Sequence, residues 1–301
     1  MKSNYHSKRN VRSFIGPLMG CLAIFVSAFC FYLSTIAIRW SQPFVTINPA
    51  FFVFARFVLG FCIICIIFAI TGQRPKPRNK HLLLGRTFSN CIAVYCFYMA
   101  VQRTTVAEAN ILNMTYPVFV ALFSWVFLRY QRDILSLIFV FLAFIGIWLI
   151  LSPGKFDMSI HNLWGLASGI SASFSIIYLN VSRQYHDTHT ILFFMFGLGA
   201  LLMLLLFHNT FFWPDATALY YLLLCAVFGI AGQFLITVGF RYVTAVEGGI
   251  ISSTRILLAA LLGPFLVSEL PLTLSGWIGA FIIFSVNVSL ALRKSHGSVF
   301  G

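Results

Sequence analysis

Apolar residues run in ten long blocks, at about 13–38, 50–71, 82–101, 105–128, 134–152, 163–181, 190–208, 216–239, 244–267 and 273–292. Polar residues inside a block are few, and short polar connections separate one block from the next. A helix of about 20 apolar residues crosses a ~30 Å hydrocarbon layer. A helix also satisfies its own backbone where no water can. The pattern therefore predicts an all-α integral membrane protein of ten transmembrane helices.

Charge refines this picture. The chain is 60% hydrophobic and only 9% charged, too apolar for a soluble domain of 301 residues. Its net charge of +13 resembles that of a nucleic-acid binder, but the basic residues lie between the apolar blocks and not on one folded face, so no nucleic-acid partner is expected. With the N-terminus inside, fifteen Lys and Arg fall in cytoplasmic pieces, among them "TGQRPKPRNKH" running on to Arg86. Only Arg39, Arg103 and Lys155 fall outside. The bias predicts cytoplasmic N- and C-termini in the cell membrane, the inner membrane of a bacterium. The basic tail Met1–Arg12 imitates a signal peptide, but the apolar stretch after it is too long for an h-region and counts as the first helix.

Metal and redox chemistry find little footing. All seven Cys lie inside apolar runs, and Cys62-Ile-Ile-Cys65 has no His or acid beside it, so small apolar side chains are the reading. His186-Asp187-Thr188-His189 reads as a solvated cytoplasmic loop without a further ligand. No metal, cofactor or catalytic residue is expected.

The chain repeats itself. "TVAEANIL" at 105–112 matches "TAVEGGII" at 244–251, and "GPLMGCLAIF" at 16–25 matches "GLASGISASF" at 165–174. Two halves of five spans follow, 13–152 and 163–292, flanked by cytoplasmic tails 1–12 and 293–301. An odd number of spans inverts the second half relative to the first, the arrangement of transporters that rock about a shared midplane site. Carried by "FFVFARF", "TTVAEANILNMTYPVFVALFSWVFL", "TAVEGGIISS" and "LVSELPLTLSGWIGAFII", the sequence resembles the drug/metabolite transporter superfamily, in particular its EamA-type members. The resemblance spans residues 13–292 and implies two inverted five-helix repeats, with the cargo left open. Arg255 and Ile256 stand where the first half has Tyr116 and Pro117, an unusual residue at that place in such proteins.

Polar residues within the spans are the candidate site. Arg255 lies eleven residues into its block, ~16 Å along a helix and close to the midplane. A charge there costs at least ~2.5–3.5 kcal/mol, so it should face a cavity or a partner. Its assigned role is to hold an anionic group of the cargo, with Tyr116 facing the same cavity as its repeat counterpart. Arg56 is shallow enough to snorkel, or else ties helices or contacts cargo. Asn110, Asn113 and Pro117 share one helix face, and Pro117 leaves the Asn113 carbonyl without its helical donor. Asn90 and Gln233 complete the candidate substrate-binding set, each also suited to an interhelical hydrogen bond. Thr105 with Glu108, and Thr244 with Glu247, fit the capping box, which is favoured over proton coupling.

The function expected is secondary transport of a small polar metabolite, amino-acid-like or anionic, by alternating access. A proton or an exchanged solute would couple it, since no Walker motif is present. The resemblance leaves S-adenosylmethionine-like and nucleotide-like solutes open, and drug export, although a cationic drug lacks an acid at depth. A membrane-embedded lipid-modifying enzyme would need a paired catalytic motif that the seven His do not form. A non-transporting scaffold would not need a buried Arg. The partners expected are the solute and the bilayer, with the chain a monomer or homodimer.

Overall fold

The computed structural model describes residues 3–127, 134–151, 160–243 and 245–297. Among these the only regular structure is helical: α1 (Ser3–Ser41), α2 (Pro49–Thr71), α3 (Lys80–Arg103), α4 (Val106–Asn113), α5 (Tyr116–Phe127), α6 (Ile134–Leu151), α7 (Asn162–Ser182), α8 (Thr188–Phe207), α9 (Ala216–Gly239), α10 (Ala245–Val267), α11 (Leu274–Gly297), and a 3₁₀ turn at His208–Thr210. Six are long and apolar enough to cross a membrane, and shorter apolar stretches lie at Phe141–Ile150, Ile251–Val267 and Leu274–Ser289. Large side chains such as Ile70, Leu205, Phe265 and Phe281 face outward, while Ser34, Thr35, Arg56 and Asn90 are buried. That inside-out distribution suits lipid as the surrounding solvent. The chain is an integral membrane protein.

Local chemistry sets the helix ends. Asn48 caps α2, accepting from the Ala50 N–H at 2.9 Å, with Pro49 at the first helical position and Gly72 left-handed at φ 65° after the last. Asp187 caps α8 through the Thr190 N–H at 3.2 Å, and Asp215 caps α9 through the Ala218 N–H at 2.8 Å. Burial alone would raise the Asp187 carboxyl, but its bonds from the Thr190 hydroxyl and N–H outweigh this and hold it below the usual range. Thr105 and Glu108 form a reciprocal capping box on α4.

Four sequence expectations change. The block at 105–128 is not one helix, because α4 stops at Asn113 and α5 restarts at Tyr116. Pro117 cannot donate to Asn113, and the chain turns at Met114 and Thr115 instead of bridging the gap. The Thr115 hydroxyl donates to the Leu112 carbonyl at 2.6 Å, and the Asn287 amide to the Met114 carbonyl at 3.0 Å. The broken turn lies against Gly169 of α7, where a Cβ would come within 2.8 Å of the Leu112 carbonyl oxygen. The first helix reaches back to Ser3, since Lys and Arg are good helix formers. His186 is not solvated: it is buried, and its Nε2 accepts from the N–H groups of Arg78 and Asn79 at 3.1 and 3.3 Å. Arg86, counted with the inner basic connection, is buried in α3. Thr244 lies outside the described residues, as does the Glu247 side chain, so the second capping box is not described.

Two ends of the bundle can be named. At the Glu269 end sit segments 42–48, 104–105 and 268–273, tied by an Arg39–Glu269 ion pair at 2.8 Å. At the His186 end, the 72–79 segment docks on the turn between α7 and α8, where the Lys76 N–H also reaches the Thr190 hydroxyl at 3.2 Å. Between them α3 packs on α7, α1 on α9, α2 on α8, and α6 on α11.

Candidate binding cavity

One cavity, of about 100 Å³, lies among α1, α2, α3, α4, α5, α7, α9 and α10. Its polar lining follows from helical periodicity. In α3, Arg86, Asn90 and Phe97 recur on one face, and in α1 so do Ser27, Phe31 and Ser34. All six candidate residues from the sequence, Arg56, Asn90, Asn113, Tyr116, Gln233 and Arg255, line this cavity. Residues that sequence reasoning missed are Arg86, Ser175, Phe31 and Phe97.

Three guanidinium groups dominate. Arg56, Arg86 and Arg255 are each at most 4% exposed. Arg56 does not snorkel. It donates to the Tyr98 hydroxyl at 3.1 Å and to Gln233 Oε1 at 3.3 Å. Its aliphatic stem crosses α9 at Gly229, where a Cβ would come within 2.8 Å of Arg56 Cδ. The Tyr98 hydroxyl is held in turn by Ser34 at 3.0 Å, so a polar chain links α2, α3 and α1. Arg255 donates to Asn113 Oδ1, and the Asn113 amide donates to Ser168 at 2.8 Å. The pair Arg255–Asn113 thus joins α10 to the end of α4, beside the break. The Arg255 guanidinium carbon also lies 5.0 Å from the Phe97 ring centre and 5.8 Å from that of Phe31. Arg56 lies 5.3 Å from the same Phe31 ring. Arg86 donates to the Ser175 hydroxyl on α7.

No carboxylate lines the cavity among the described residues. Phenyl faces stabilise a cation by roughly 0.5–2 kcal/mol, and the bonded neighbours are neutral. The Nε atoms of all three arginines and the Asn90 amide nitrogen are buried without a partner. The cavity therefore presents positive charge and an excess of hydrogen-bond donors, which an acceptor-only anion matches.

The described acidic side chains, Glu108, Asp187, Asp215 and Glu269, lie at helix ends or in connections. Glu269 pairs with Arg39 and accepts the Val106 N–H at 2.8 Å, joining the loop after α10 to α1 and to the start of α4. Trp40 Nε1 reinforces that closure by donating to the Leu266 carbonyl at 2.8 Å. Burial pushes the Glu269 carboxyl above its ordinary range. Arg39 and the Val106 N–H pull the other way, and nearby Glu108 adds to the rise. Among the described residues no cluster of three or more His, Cys, Asp or Glu could hold a metal ion.

The model of the EamA-like transporter family matches the sequence twice, at residues 18–152 and 159–288. The chain belongs to the EamA-like transporter family. A pseudopaline exporter of Pseudomonas aeruginosa is 26% identical over 86% of this chain and 92% of its own. A transporter of Archaeoglobus fulgidus is 30% identical over 83% of this chain and 86% of its own. A crystal structure 18% identical in sequence superposes with a TM-score of 0.60, over 91% of this chain and 98% of that one, a likeness of fold alone. Family and relatives together make this EamA-like protein a membrane transporter.

Proposed function

We propose that this EamA-like protein is a secondary transporter of a small organic anion. It would work by alternating access between two inverted halves, 13–152 and 163–292, with both termini cytoplasmic. The observation that carries the substrate class is the set of three buried guanidinium groups in one cavity with no carboxylate among its described lining. Three buried cations with no carboxylate beside them in the described lining are electrostatically unfavourable, and an anion relieves this. A zwitterionic amino acid finds guanidinium partners for its carboxylate but no carboxylate in the described lining for its ammonium, so the anionic reading is favoured over the amino-acid-like one.

Helix pairing supports the inverted halves. If α1, α2, α3, α4 with α5, and α6 correspond to α7, α8, α9, α10 and α11, exchange of the halves turns α1–α9 into α7–α3. It likewise turns α2–α9 into α8–α3 and α1–α10 into α7–α4, and α2–α8 and α6–α11 map onto themselves. Every one of these pairs is in contact. Moving Arg86 from the inner connection to the cavity leaves fourteen inner Lys and Arg against three outer, so the charge bias still supports N-in. In that orientation the Arg39–Glu269 tie closes the outer side.

Ligand-induced thermal stabilisation of the purified protein tests the substrate class. Small carboxylates or phosphomonoesters should raise the melting temperature saturably, and lipophilic cations or uncharged sugars should not. Arg255→Ala should weaken the anion response about tenfold or more, and Arg255→Lys less, since it keeps the charge but loses the fork. Stabilisation by cations alone, or anion binding by Arg255→Ala equal to wild type, would overturn the reading.

A further inference from the structure

Counted along their helices, the backbone positions of the three arginines stand at different levels. Measured from the His186 end at 1.5 Å per residue, Arg86 lies six residues into α3, ~9 Å along the axis. Arg255 lies ten residues into α10, ~15 Å, and Arg56 fifteen residues back from the end of α2, ~22 Å. Arg255 and Arg56 share the Phe31 ring. Arg86 is held elsewhere, by Ser175 on α7.

We propose that the solute carries at least two acidic groups, carboxylates or phosphates, bound at two levels of the one cavity. Arg255 and Arg56 hold the first beside Phe31, and Arg86, Ser175 and Asn90 hold the second. The inference rests on the reading of this cavity as the solute site.

The second subsite is built from donors. Ser175 spends its oxygen on Arg86, which leaves its hydroxyl hydrogen for another acceptor. Arg86 Nε and the Asn90 amide nitrogen are both buried without a partner, and the two residues are one helical turn apart on the same face of α3. A single carboxylate offers two oxygens about 2 Å apart and cannot serve both levels. One acid at Phe31 would leave Arg86 a buried cation hydrogen-bonded only to the neutral Ser175. Two acids on a spacer answer both levels, and the spacer passes the apolar wall formed by Ala93, Val94 and Phe97.

Competition binding to purified protein in nanodiscs tests this. The probes are straight-chain α,ω-dicarboxylates of increasing length, monocarboxylates of matching length, and a phosphomonoester that carries a carboxylate. Wild type should prefer a dianion to its matched monoanion by about tenfold or more. The longer dicarboxylates should bind better than the shortest. Arg86→Gln should bring that preference close to one, and Arg86→Lys should retain part of it. If wild type binds monoanions and dianions alike, or Arg86→Gln keeps the full preference, the two-acid inference is wrong while the anion reading stands. Binding of no anion at all overturns both. If Arg86→Gln does not fold, Ser175→Ala reports on the same subsite and should lower the preference in the same direction. Mixed carboxylate–phosphate probes binding better than dicarboxylates assigns the second acid as phosphate, and the reverse assigns it as carboxylate.

Discussion

At the scale of single residues, rarity made most of the cavity legible. A charge or amide in an oily helix has to be accommodated by protein or water, so Arg255, Arg56, Asn90, Asn113 and Gln233 stood out in the sequence and meet in one cavity. Arg86 did not stand out, because a basic residue near the start of a span carries the same signature as a topology signal. The cue was its spacing: it stands four residues before Asn90, on the same helix face. Phe31 and Phe97 gave no cue at all in a chain with thirty-four Phe. Their roles depend on which helices meet, and periodicity does not record that. Gly229 makes a prediction at this scale. An added methyl would meet the stem of Arg56, so Gly229→Ala should displace that guanidinium and weaken anion binding several-fold with little loss of thermal stability. Unchanged affinity in a folded Gly229→Ala protein would show that Arg56 can hold its anion from another rotamer.

Among the elements, the sequence marked helix ends better than helix breaks. Thr105-x-x-Glu108 predicts the cap that α4 has, because the bonds are local. Pro117 signalled a free carbonyl, yet the two-residue break at Met114 and Thr115 depends on Gly169 and Asn287 from other helices. The Arg39–Glu269 tie joins elements 230 positions apart and was likewise out of reach of local pattern. It has a pH sign of its own. Burial raises the Glu269 carboxyl in the tied state, whereas in an opened, hydrated state it would titrate near the ordinary value of about 4.3. The tied state therefore binds the proton more tightly, and falling pH favours it across the window from the raised value down to the ordinary one. Labelling of a cysteine placed at Ser34, in a background without the native cysteines, reads this out. Access from the Glu269 end should fall as pH drops through that window and rise in Arg39→Ala, which leaves a buried carboxylate unpaired. Access that increases on acidification would contradict this order of effects.

At the scale of the whole molecule, the ten apolar blocks, the charge bias and the weak internal repeat pointed to an EamA-type chain, and the family match agrees. The block and charge signals are strong because the bilayer fixes helix length and charge placement without regard to cargo. Cargo depends on a few polar contacts inside, which vary freely among members of one fold. Under the proposed function, the three arginines set the cargo of this chain. Counterflow in liposomes tests that statement most directly: vesicles containing the protein are loaded with an unlabelled organic dianion and diluted into a trace of the labelled one. Wild type should accumulate label saturably, Arg255→Ala should fall to near the level of protein-free vesicles, and cationic solutes should not compete. Accumulation no greater than in protein-free vesicles across the anion panel, or counterflow of cations that Arg255→Ala leaves intact, would contradict it.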